Sequence, residues 1–248
     1  MRRAASVVAL GAAFVLASSA AAAACTGTIY LTFDTGSMSQ AEYIRDALKR
    51  HGARATFFLA NEKTVHGDTS LDPAWAPYWR SLAADGHAFG NHTWRHWYFR
   101  GDTPDGRVTF ASYDGRQRES LDRAATCAEF ERVNTTFKQM TGRALDPIWR
   151  APGGKTTPRA LEFASSCGYP RHVGWSPAGF IGDELPSEKY PNDALLAKAL
   201  RDLKDGDIAV MHLGIWSRKE PLAPILDELL VGLKAKGYCF ATIPERRG

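Results

Sequence analysis

The chain has 248 residues, with 31 Lys plus Arg against 27 Asp plus Glu and a formal net charge of +4. That small basic excess, spread without a basic run, leaves no electrostatic footprint for nucleic acid, and the length suits one domain. Four cysteines (Cys25, Cys127, Cys167 and Cys239), none in a C-x-x-C arrangement, exclude a cysteine zinc site and favour disulfides in an oxidising compartment.

In chain order, Met1-Arg2-Arg3, an apolar run over 7–16 and the small residues Ala22-Ala23-Ala24 form a signal peptide over 1–24. Cleavage leaves 25–248 as one exported domain, periplasmic or extracellular, with no transmembrane helix. Cys25, directly after a run of five alanines, also fits a lipid-modified cysteine. Continuous apolar runs at 28–33, 55–59, 88–90, 147–150, 172–175, 208–212 and 239–243 read as strands buried on both faces. Helices at 39–51, 120–141, 157–167 and 221–236 lie between them, and a glycine follows each (Gly52, Gly142, Gly168 and Gly237). Residues 61–80 and 97–117 read as aromatic-rich loops.

This alternation predicts an α/β fold, a distorted (β/α) barrel of about seven parallel strands. Asp34, His92, Arg150, Trp175 and His212 stand at or just past five strand ends, which converge on one mouth in a barrel. His92 and His96 are four residues apart. On one helical turn both rings would project from one face toward a single metal ion.

Together these segments resemble the polysaccharide deacetylase family, the NodB-like members of carbohydrate esterase family four. Thr32-Phe33-Asp34-Thr35-Gly36 is similar to the family's Thr-Phe-Asp-Asp-Gly, and His92-Thr93-Trp94-Arg95-His96 to its His-Ser/Thr-x-x-His. Arg150-Ala151-Pro152-Gly153-Gly154 is similar to its Arg-x-Pro-Tyr-Gly, and the segment ending at His212 to its closing Leu-x-His. The resemblance implies a divalent metal, zinc first, on His92 and His96. It also implies Asp34 as general base, Arg150 holding Asp34 ionised, the Gly153 amide in the oxyanion hole and His212 as general acid. Trp94, Pro152 and Trp175 would contact substrate, a polysaccharide carrying N-acetylglucosamine such as peptidoglycan, chitin or an exopolysaccharide, bound by a monomer. The alternatives are a metal-poor carbohydrate-binding relative without turnover and an O-acetyl esterase on xylan-like glycans.

Three departures stand out. Thr35 replaces the aspartate that completes the metal triad, leaving the third ligand to water, Asp34 or a loop carboxylate such as Asp68, Asp72 or Asp102. Gly153 replaces an aromatic residue, and the carboxylate that orients His212 is missing in register, with Asp183 the nearest candidate. In a barrel the first and last strands are neighbours, so Cys25 is expected to pair with Cys239, and Cys127 with Cys167.

Overall fold

The structure, a computed structural model, describes residues 25–246; the expected signal peptide lies outside them. Strand β1 (Gly27–Asp34) ends in four buried residues, and β2 (Thr56–Leu59) and β3 (Ala88–Asn91) are buried throughout. Successive strand residues point to opposite faces, so unbroken burial means that both faces of the sheet are covered. Helix α1 (Ala41–Arg50) buries Ala41, Ile44, Ala47 and Leu48, one stripe at helical spacing, and carries Lys49 and Arg50 in its last turn, where they favour the helix dipole.

Further along come α3 (Arg123–Thr141), β7 (Ile148–Trp149), α4 (Pro158–Ser166), β8 (Arg171–His172), β9 (Ile208–His212), α6 (Leu226–Ala235) and β10 (Tyr238–Phe240). Seven strands form one sheet in the order β10, β1, β2, β3, β7, β8, with β9 also on β1. All its ladders are parallel, and it curls into a partial barrel. β1 is its centre: its first residues pair with β10, and its later residues pair with β9 on one side and β2 on the other. The register sets Asp34 opposite His212, and Asn91 opposite Trp149, so the strand ends meet in one row.

Some expectations change. Residues 97–117 hold most of a three-stranded antiparallel sheet, β4 (Tyr98–Asp102), β5 (Val108–Ala111) and β6 (Arg118–Leu121), and not a loop. Helix α3 accordingly begins at Arg123, where the Asp122 side chain accepts a hydrogen bond from the Ala125 amide as N-cap. Helices α2 (Ala76–Ala84) and α5 (Asn192–Asp202) were not foreseen. Much of the aromatic content of the segments read as loops is core: Trp75, Tyr78, Trp79 and Phe99 are buried. No helix among the described residues is long and apolar enough to cross a membrane.

Both disulfides form as expected, Cys25–Cys239 tying the start of β1 to β10 and Cys127–Cys167 tying α3 to the end of α4. With its sulfur committed to Cys239, Cys25 has no thiol left for a lipid. The closed loops differ in length, 214 against 40 residues of sequence separation. On the chain-entropy account the first contributes about 5 kcal/mol and the second about 4 kcal/mol. Urea unfolding of Cys25→Ser/Cys239→Ser and Cys127→Ser/Cys167→Ser should therefore show a loss in both, larger for the first. An unchanged midpoint in the first pair would contradict the seam.

Candidate active site at the strand ends

Arg150 follows β7, is fully buried and reaches across the barrel interior. Its Nη1 donates to Asp34 Oδ1 at 2.8 Å, its Nη2 to Thr32 Oγ1 at 2.9 Å and its Nε to the Val173 carbonyl at 3.0 Å. Its guanidinium lies over the Phe58 ring, 4.3 Å from the centroid. Burial alone would raise the Asp34 carboxyl, but the charge of Arg150, aided by His92 and His212, overcomes it and holds the group below its ordinary range.

The backbone of Arg150 acts as well. Its carbonyl meets His92 Nδ1 at 2.7 Å. A carbonyl only accepts, so Nδ1 carries the proton and Nε2 presents a lone pair. Burial pulls the His92 pKa down to about 4, so the ring is neutral near pH 7, the form that binds metals. His92 Nε2 lies 3.5 Å from Asp34 Oδ2 and 3.2 Å from His96 Nε2.

The two histidines meet, but not on a helical turn. Residues 92–97 are irregular, with Thr93 and His96 in the left-handed region at φ 63° and 54°. The Asn91 side chain accepts from the Thr93 amide and donates to the Phe130 carbonyl of α3, while Glu129 of α3 binds Arg95 through its amide and its Nε. Helix α3 thus holds the loop in the shape that brings the rings together.

His212 ends β9. Asp183 reaches it twice: Oδ2 accepts from the His212 amide at 2.6 Å and lies 3.1 Å from Nδ1. Burial would lower the imidazole, but Asp183, followed by Asp34 and Glu184, raises it to about 10, so it is an imidazolium at neutral pH. Gly153 sits at φ 65° on the edge of the cleft. A Cβ there would stand 2.2 Å from a Tyr98 ring carbon, so only glycine fits beneath Tyr98. Tyr98, from β4, fills the aromatic place that Gly153 vacates. The cleft is lined by Asp34, His92, His96, Tyr98, Gly153, Trp175, Glu184 and His212, among others.

Of the residues expected to contact substrate, Trp175 lines this cleft, Pro152 is buried and not part of its lining, and Trp94 packs against the core under the Arg132 guanidinium. The other histidines are structural or peripheral. His87 accepts from the Ala55 amide, His172 from the Ala151 amide, His51 meets Asp227, and His66 stacks near Trp75.

None of the three suggested loop carboxylates comes to the histidines. Asp68 binds Thr64 and Trp75, Asp72 caps the turn at Pro73–Trp75, and Asp102 accepts from the Arg159 amide. Glu62, just past β2, arrives instead. Its Oε2 accepts from the Thr35 hydroxyl at 2.5 Å and the Gly36 amide at 2.7 Å, and its Oε1 lies 3.3 Å from His96 Nδ1. Even so, among the described residues no three His, Cys, Asp or Glu side chains are grouped to hold a metal ion. The donor set does not fit the three-ligand centre that the resemblance implies. It fits a divalent cation through two imidazoles only: zinc–nitrogen bonds of about 2.0–2.1 Å at a tetrahedral angle put the two nitrogens about 3.3 Å apart, close to the distance seen.

Comparison with known proteins identifies the family of the chain. The model of the family described as Polysaccharide deacetylase matches residues 22–172. A chitin deacetylase of Colletotrichum lindemuthianum is 34% identical over 90% of this chain and 82% of its own length. The peptidoglycan-N-acetylglucosamine deacetylase PgdA of Listeria monocytogenes is 27% identical over 89% of this chain but only 39% of its own length. Over the curated relatives, the chain spans 39% to 82% of their lengths. Among solved structures, a CE4 family pseudoenzyme from Bacillus anthracis superposes with a TM-score of 0.64 at 18% identity, over 88% of this chain and 64% of that one, a likeness of fold.

The His212–Asp183 pair generates a pH test. The unfolded chain loses the imidazole proton near 6.5 and the folded chain near 10, so the pair's stabilisation is complete below 6.5 and disappears as pH rises through 10. Unfolding free energy measured between pH 6 and 10 should fall, and Asp183→Asn should flatten that slope. An unchanged slope in Asp183→Asn would contradict the pairing.

Proposed function

The chain belongs to the polysaccharide deacetylase family, carbohydrate esterase family four, and from that premise we propose that it hydrolyses acetyl groups of a glycan, N-acetyl groups first. The observation that carries this reading is the row formed by Asp34 and His212, register partners on adjacent strands whose pKa values are pushed apart, one below the ordinary carboxylate range and one up to about 10. Titratable groups separated in this way divide base from acid.

In this mechanism Asp34, aimed by Arg150, takes the proton of the water that attacks the acetyl carbonyl. The Gly153 amide at the cleft edge donates to the oxygen that becomes negative. His212, held by Asp183, gives its proton to the departing nitrogen. That last step favours amides over esters, because an amine leaves only when protonated whereas an alkoxide needs less help. Trp175 and Tyr98 offer aromatic faces to the pyranose ring.

An Asp34 carboxyl held below 3.8 is about 12 pKa units too weak to deprotonate bulk water, a deficit of about 16 kcal/mol. A divalent cation on His92 and His96 would supply Lewis-acid activation of the water and carbonyl. A chain without that cation would bind acetylated glycan without turnover, and the absence of three grouped ligands among the described residues supports this second reading. Both disulfides support an oxidising, exported location, and the likeness to the chitin and peptidoglycan enzymes supports N-acetylglucosamine chains as the substrate class.

Acetate release from chitooligosaccharides, peptidoglycan and acetylated xylan, with chelator or with added zinc, cobalt, nickel or manganese, tests the proposal. Release from the N-acetylated substrates should require metal and fall at least about 100-fold in Asp34→Asn and His212→Ala. Glycan binding without acetate under every metal would leave only the binding reading, and release from xylan alone would make the chain an esterase.

A further inference from the structure

Thr35 removes a carboxylate from the site, yet a carboxylate oxygen still stands at the Thr35 hydroxyl and the Gly36 amide, where the Glu62 side chain places it. Glu62 is firmly held there. Its amide donates to Ser70 Oγ, its carbonyl accepts from the Ser70 amide, and Ser70 Oγ donates to the Ala60 carbonyl. Thr35 Oγ1 accepts from the Ala60 amide while donating to Glu62, so the hydroxyl links the ends of β1 and β2.

The other oxygen of Glu62 faces Nδ1 of His96, the ring edge away from His92. A carboxylate only accepts, so at 3.3 Å it favours the tautomer with the proton on Nδ1 and a lone pair on Nε2. The Arg150 carbonyl does the same for His92. Two lone pairs therefore face each other across 3.2 Å, with Asp34 Oδ2 3.5 Å from one of them. Two imidazole nitrogens at this separation, with a carboxylate oxygen beside them, suit a nitrogen-preferring divalent ion placed between them.

The geometry points to Glu62 as a positioning residue that supplies, through His96, the negative charge lost at Thr35, and so makes a cation site of two imidazoles instead of three protein ligands. The inference rests on the reading of this cleft as the acetyl-hydrolysing site, but it concerns the free protein and the metal alone. Partners in this position orient a ligating imidazole and increase its basicity, and losing one typically weakens metal binding 10- to 100-fold.

The experiment is titration of the mature, disulfide-intact chain with cobalt(II), followed by its visible absorption, and with zinc in competition, without glycan. One ion per chain is expected, lost in His92→Ala and weakened 10- to 100-fold in Glu62→Gln, an isosteric change that removes the charge and one of the two acceptor oxygens. Affinity in Glu62→Gln within twofold of the wild type would overturn the inference. The wild-type protein supplies a second measurement that needs no variant to fold: 15N shifts of the zinc-loaded chain should put the proton of His96 on Nδ1 and the metal on Nε2, and the reverse would overturn it. If the wild-type chain binds neither ion at millimolar concentration, the cation site is refuted, while glycan binding and acetate release still decide the glycan reading separately.

Discussion

The site depends on Arg150 being buried. Through its guanidinium it joins Asp34 and Thr32 of β1 to the carbonyls after β8, and through its own carbonyl it fixes the tautomer of His92. A guanidinium and a carboxylate without water around them are costly, and such a pair persists only when its geometry is good and its remaining donors are occupied. Here they are occupied from β1 and from the residues after β8, so moving β1 would leave a buried charge unpaired. The interaction that makes Asp34 a carboxylate also holds that end of the barrel in shape.

Around that pair, three motif positions lack their usual residue, and each function is taken over by a side chain from another segment. The charge absent at Thr35 comes from Glu62, the aromatic wall absent at Gly153 comes from Tyr98, and the carboxylate behind His212 comes from Asp183. The replacements differ in completeness. Asp183 contacts His212 directly, and Tyr98 fills its place so fully that no side chain fits at Gly153. Glu62 stands on the far edge of His96, so a cation on the proposed site would feel its charge only through the ring.

The sequence is most legible where function is carried by short local motifs on buried parallel strands. Asp34, His92, Arg150 and His212 fall at strand ends because unbroken apolar runs mark the strands, and the curl of the sheet does the rest. The histidine pair was legible as a pair but not as a shape, because Asn91 caps Thr93 and forces positive φ where a helical turn was expected. The small sheet β4–β6 hides its strands in mixed polar sequence, although Asp105-Gly106 and Asp114-Gly115 are hairpin turn signals that point to it. Glu62 lies in Asn61-Glu62-Lys63, which reads as a solvated loop. Its position just past the end of β2 is the same signal that picked out Asp34 past a run of β1, and its partnership with Thr35 spans 27 residues of chain that no local pattern bridges.

That Arg150 and Asp34 form one buried, charged unit on which the rest is hung is tested most directly by a double-mutant cycle on unfolding free energy, with Asp34→Leu, Arg150→Met and both together. The two single changes should each strand a buried charge, and the double change should cost less than their sum, with a coupling of about 2–3 kcal/mol. Single effects that add to within about 0.5 kcal/mol would show that the two residues do not act as a unit.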